Sequence, residues 1–126
     1  MKKFILIFVL LISISFTYAQ PICFTATAFT ARNAPDGVWS DWKTAEIFGT
    51  IDLGKNQIWI FSAEPQKFDF LKFIFTEFDT GVLYATPALD KNGVSVLIEL
   101  YAYNSGLWIL QIEYANVEYK YKLKIE

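Results

Sequence analysis

Between Ile22 and Ile125 apolar and polar residues trade places one by one. The pattern is cleanest near the C-terminus, where Val117, Tyr119, Tyr121, Leu123 and Ile125 are separated by Glu118, Lys120, Lys122 and Lys124. Successive side chains of an extended strand point to opposite faces, so such a run buries one face and wets the other. Glycine, proline and asparagine interrupt the alternation at short intervals, which is how antiparallel all-β chains read. Eight candidate strands emerge: Cys23 to Ala31, Thr44 to Leu53, Gln57 to Ala63, Lys67 to Phe78, Val82 to Leu89, Val94 to Tyr103, Leu107 to Tyr114 and Val117 to Ile125. The expected fold is a single antiparallel domain of about eight strands, a small up-and-down barrel or a two-sheet sandwich. Short connections make the last five strands a C-terminal meander.

Three connections share one form, a polar pair followed by glycine and an aliphatic residue: Asp79-Thr80-Gly81-Val82, Lys91-Asn92-Gly93-Val94 and Asn104-Ser105-Gly106-Leu107. Glycine there is expected to supply the positive φ of a tight turn. The run from Phe68 to Phe78 is ambiguous, because Phe68, Leu71, Phe75 and Phe78 also fit one face of a helix opened by Pro65. Its phenylalanine content favours a strand.

The first 19 residues read as an export signal: a basic start at Lys2-Lys3, an apolar run from Phe4 to Phe16, and Thr17-Tyr18-Ala19 before a cleavage point at Gln20. The run is shorter than the roughly 20 residues a membrane-spanning helix needs. Its bacterial style places the protein in the periplasm or outside the cell. The 107 residues from 20 to 126 suffice for one domain with one core. With 54% hydrophobic and 19% charged residues, disorder is excluded. No later stretch is long and uncharged enough to cross a membrane as a helix. Lys2 and Lys3 lie in the leader, so nine basic residues remain against thirteen acidic ones, a net charge near −4 that disfavours nucleic acid as a partner. Cys23 is the only cysteine. No disulfide can form within the chain, and Cys23 is expected as a small buried hydrophobe, with an intermolecular disulfide or lipid attachment as alternatives.

Histidine is absent, which removes the commonest metal ligand and general base. The glycines are isolated and form no phosphate loop. Asp79-Thr80-Gly81 resembles the active-site turn of retroviral-type aspartic proteases, small all-β chains whose dimers bring two aspartates together. The residues that follow, Val82-Leu83-Tyr84, depart from that family's pattern. Asp90-Lys91-Asn92-Gly93 is similar to the opening of a calcium loop, but Tyr101 stands where the bidentate glutamate belongs. Gly37-Val38-Trp39 resembles the Gly-x-Trp that begins the lipocalin barrel, a resemblance that implies an up-and-down barrel around a small apolar ligand. Here it follows a candidate strand instead of preceding the first. The reading therefore assigns no catalytic residue, no metal ligand and no cofactor.

Two candidate strands, Lys67 to Phe78 and Val94 to Tyr103, are apolar on both faces, so something must cover each twice. Trp39 and Trp42 flank Ser40-Asp41 in a loop, where they either plug one end of the core or suit a partner's side chain or a sugar ring. The large inward candidates Phe24, Trp59, Phe61, Tyr119 and Tyr121 favour a filled interior. The leading expectation is a non-catalytic interaction module that binds another protein of the cell envelope or exterior, as an envelope component or an inhibitor. Its expected contact residues are Trp39, Trp42, Phe73, Tyr101 and Tyr103. The alternative is a lipocalin-like binder of a small apolar ligand, and a carboxylate-based hydrolase stands third.

Overall fold

Alternation is realised as nine strands in a computed structural model that describes residues 21–34 and 36–126; the expected leader, residues 1–19, lies outside the described residues. The strands are β1 (Ile22–Asn33), β2 (Lys43–Asp52), β3 (Gln57–Ile60), β4 (Gln66–Phe70), β5 (Ile74–Phe78), β6 (Gly81–Asp90), β7 (Ser95–Tyr103), β8 (Trp108–Glu113) and β9 (Val117–Ile125). All pairings are antiparallel, in the order β4-β3-β2-β1-β9-β8-β7-β6-β5. Phe68, Asp69 and Phe70 of β4 also pair with Asp90, Leu89 and Ala88 of β6, which closes eight strands into a barrel and leaves β5 as an extra strand. Of the two architectures open in the sequence, the barrel is the one formed. One mouth carries the β1–β2 loop and the β3–β4, β6–β7 and β8–β9 turns; the other carries the remaining turns and the C-terminus.

Side chains fill the interior. Phe24, Ile58, Ile60, Phe68, Ile98, Leu110 and Ile112 are all fully buried, as expected for a barrel of eight strands, which is just wide enough for its own side chains or one small ligand. Gly49 makes room for the Phe24 ring. A Cβ at that position would lie 2.2 Å from Cζ of Phe24, so the ring rests directly on the β2 backbone.

Two of the three glycine turns behave as the sequence implies: Gly93 has φ +80° and Gly106 has φ +93°. In each, the residues flanking the turn close it with a backbone bond, Asp90 N–H to Val94 O at 2.9 Å and Tyr103 N–H to Leu107 O at 2.9 Å. Gly81 differs. It is the first residue of β6, and its glycine is required by space, since a Cβ would meet the Ala102 carbonyl at 2.2 Å.

The run Phe68 to Phe78 is neither a helix nor one strand. β4 and β5 lie end to end along the same edge of β6, but the register slips by one residue between Phe70↔Ala88 and Ile74↔Ala85. The reason lies in β6. The Pro87 carbonyl accepts from Leu71 N–H at 3.4 Å, and a strand residue's donor and acceptor point to the same side. Proline has no N–H to return, so the ladder breaks there. Thr86 Oγ1 accepts the next amide, Lys72 N–H, at 3.2 Å.

Three further expectations are corrected. Trp59 and Phe61 face outward, because Ile58 and Ile60 take the inward positions of β3 and adjacent residues alternate. Cys23 is exposed, since Phe24 beside it points inward. Lys120 and Lys122 are half-covered instead of fully solvated.

Candidate functional site

β5 is built from Ile74, Phe75, Thr76, Glu77 and Phe78, all exposed. It pairs with β6 from Ile74↔Ala85 to Phe78↔Gly81, and among the described residues no strand lies on its other edge. Leu71, just before it, is 73% exposed and Ile74 is 71% exposed. Exposed edges of apolar composition are ready templates for a further strand, and native chains normally blunt them with charge, proline or bulges. Within β5 only Glu77 serves that purpose.

The outer wall continues this surface across the sheet. Register places Thr76 beside Leu83, Leu83 beside Tyr101, Tyr101 beside Ile109 and Ile109 beside Lys122. Phe78 meets both tyrosines of β7 edge-on, with ring centroids 6.5 Å from Tyr101 and 5.9 Å from Tyr103, and those two are stacked 6.1 Å apart. The Tyr101 hydroxyl donates to Glu99 Oε2 at 3.3 Å. Burial and the Glu99 charge push this hydroxyl up to about 12.

At the far end of the wall the β1–β2 loop folds back against β1 and β9. Ser40 N–H donates to the Ala31 carbonyl at 2.9 Å, and Thr30, 2% exposed, is bonded to Ser40 through its hydroxyl. Trp39 sits between two cations, 4.6 Å from Arg32 Cζ and 4.1 Å from Lys120 Nζ, and Trp42 lies 4.5 Å from Lys122 Nζ. Burial, then the Arg32 charge, lowers the Lys120 pKa. The two tryptophans thus hold a loop onto the wall by cation–π contact, and neither plugs the core.

Between these ends three glutamates crowd together on neighbouring strands. Glu118, 4% exposed, accepts from Arg32, with Nη2 to Oε1 at 2.8 Å. Gln111 donates to both Glu113 Oε1 and Glu118 Oε2 at 3.3 Å. Glu113 Oε2 is buried without a hydrogen-bond partner. Burial first, then hydrogen bonding and repulsion from Glu99 and Glu118, push the Glu113 carboxyl up to about 8. A proton on Glu113 relieves both the crowding and the orphaned oxygen.

Four of the five contact residues expected from sequence therefore lie on one outer wall: Tyr101 and Tyr103 beside β5, Trp39 and Trp42 over β9. Phe73 does not. It packs inward, 4.7 Å from Phe70 and 6.5 Å from Tyr84. Ile74 and Phe78 were not singled out, although they belong to the run noted as apolar on both faces. The glutamate cluster was invisible, because Glu99, Glu113 and Glu118 meet only through strand pairing. Of the short resemblances, Asp79 and Thr80 form an exposed hairpin turn bonded to Asn104, and Asp90 Oδ1 accepts the N–H groups of Asn92 and Val94 at 2.9 Å. Both segments form turns, which take up Oδ1 of Asp90 but not its Oδ2. Among the described residues no group of three or more acidic or cysteine side chains is placed to hold a metal. Comparison with protein-family models, curated proteins and solved structures finds no match.

Proposed function

We propose that this chain is a non-catalytic interaction domain that captures an extended segment of another exported protein on the open edge of β5. The observation that carries the reading is that all five β5 residues are exposed while, among the described residues, β6 is the one strand paired with β5. A strand added there gains main-chain hydrogen bonds, and its alternate side chains meet Ile74, Phe78 and the Tyr101–Tyr103 stack, the combination by which sheet edges acquire both affinity and specificity. The interior packed with Phe24, Phe68 and aliphatic side chains supports this reading over a carrier of apolar ligands, which needs an enclosed apolar space. Export to the periplasm or exterior, where such a partner would be met, rests on the Lys2 to Ala19 leader.

The test places a photo-crosslinking residue at Ile74 and, as a control, at Lys55 in the β2–β3 turn, in the organism's own envelope. The expected result is a discrete adduct from Ile74 alone, joined to one continuous extended peptide, with slowed amide exchange at Glu77, whose N–H points away from β6, in the isolated complex. Adducts from both positions alike, or none from Ile74, would overturn it.

A further inference from the structure

The mouth that carries the β3–β4, β6–β7 and β8–β9 turns holds a recess of about 430 Å³, within the roughly 300–1,000 Å³ typical of small-molecule sites. Its wall is rich in tyrosine: Tyr114, Tyr119 and Tyr121 all contribute, together with the buried Phe68 ring. Tyr114 and Tyr119 meet edge to face with centroids 6.2 Å apart, so their rings are not stacked flat on one another. Polar groups stand among them. Tyr114 donates to Asp90 Oδ2 at 2.9 Å, and Gln66 Nε2 approaches the Tyr121 hydroxyl at 3.5 Å. Lys91 Nζ reaches across the rim to the Pro65 carbonyl at 3.1 Å, tying two of the turns together.

The charges of this lining cancel, Glu64 and Asp90 against Lys67 and Lys91. An apolar ligand would strip water from Asp90, Gln66 and Lys91 without offering a hydrogen bond in return. An anion would face Asp90. Burial works against that carboxylate, but hydrogen bonds from Val94, Tyr114 and Asn92 and the Lys91 charge outweigh it and hold the group ionised. A cation would face Lys67 and Lys91. A neutral ring with apolar C–H faces and many hydroxyls fits every part: its faces pack on tyrosine, and its hydroxyls donate to the carboxylate and accept from the amide and ammonium.

We infer that this mouth is a binding site for a neutral saccharide of about disaccharide size, held on Tyr119 and Tyr114 and oriented by Gln66, Asp90 and Lys91. The site is separate from the β5 edge and stands or falls independently of it.

The experiment is titration of the isotope-labelled protein with cellobiose and with N,N′-diacetylchitobiose to about 20 mM, followed by amide NMR. The expected outcome is shifts confined to Gln66, Asp90 to Asn92 and Tyr114 to Tyr121 with at least one sugar. Gln66→Ala and Tyr119→Ala are each expected to weaken binding about tenfold or more, and Tyr119→Phe to retain it. Should Tyr119→Ala fail to fold, Gln66→Ala carries the test, because the Gln66 side-chain bonds are long, 3.5 Å each. The inference is overturned if neither sugar moves these amides, if decanoate or phosphate moves them more at equal concentration, or if Gln66→Ala binds like the parent.

Discussion

β4 and β5 run end to end along β6 and each carries two phenylalanines in five residues, yet one is core and the other surface. Phe68 and Phe70 of β4 are 0% and 5% exposed; Phe75 and Phe78 of β5 are 46% and 39% exposed. The difference is closure. β4 is gripped by β3 on one side and β6 on the other, so its inward side chains face the far wall of the barrel. β3 begins only at Gln57, opposite Asp69, so its ladder does not reach β5, which among the described residues pairs with β6 alone. Burial here follows from how many neighbours the ladder provides, and the same residue types serve packing or recognition accordingly.

Truncation should separate the two strands most sharply. Phe68→Ala leaves a cavity in a filled barrel and is expected to cost about 3–5 kcal/mol, whereas Phe78→Ala should cost under about 1 kcal/mol, both read from urea unfolding. Equal costs would show that β5 is as much a part of the folded core as β4. The exposed half has one tight point of its own: Gly81→Ala drives a methyl against the Ala102 carbonyl and is expected to cost about 1–3 kcal/mol while loosening the β5–β6 hairpin, visible as faster amide exchange from Phe75 to Phe78. On the opposite part of the wall, Trp39→Ala removes a ring held by Arg32 and Lys120. A loss of about 1 kcal/mol and faster proteolysis between Asp36 and Trp42 are expected, with the barrel intact.

The smallest effect concerns protons. Glu113 titrates near 8 in the folded chain against an ordinary 4.5, so its contribution to stability is fully present below 4.5 and is lost as pH rises through 8. The melting temperature should therefore fall by a few degrees, about 2–5 °C, between pH 5 and pH 9, and Glu113→Gln should flatten that slope. An unchanged slope in the variant would place the titration elsewhere on the wall.

Much of the barrel could be read from the chain because its information is local. The β9 alternation from Val117 to Ile125 fixes which side chains enter the core, and Gly93 and Gly106 announce their turns. Two kinds of feature could not be read so. The break between β4 and β5 depends on Pro87, a residue on the neighbouring strand that withholds a donor. The inward or outward sense of Trp59 and Phe61 depends on where β3 enters the ladder, and a shift of one residue exchanges the faces. The candidate site divides in the same way. Tyr101 and Tyr103 were visible as aromatic residues on a strand apolar on both faces, but their contact with Phe78, and the meeting of Glu99, Glu113 and Glu118, exist only after β5 to β9 have paired.

β1 bonds to β9 along nearly its whole length, and Thr25 donates to Glu126 across 101 positions of sequence at 2.8 Å. Of the nine strands β1 is synthesised first and its partner β9 last. Until β9 arrives, Phe24 and Phe29 stand on a strand with one side unsatisfied, and the loop that must close is nearly the length of the described chain, which makes this pairing the most entropically costly in the sheet. A nascent chain of this kind is most exposed to wrong pairing just before β9 emerges, while the β1 edge that β9 will cover is still open. Any chaperone that holds β1 during that interval would guard the seam of the barrel itself.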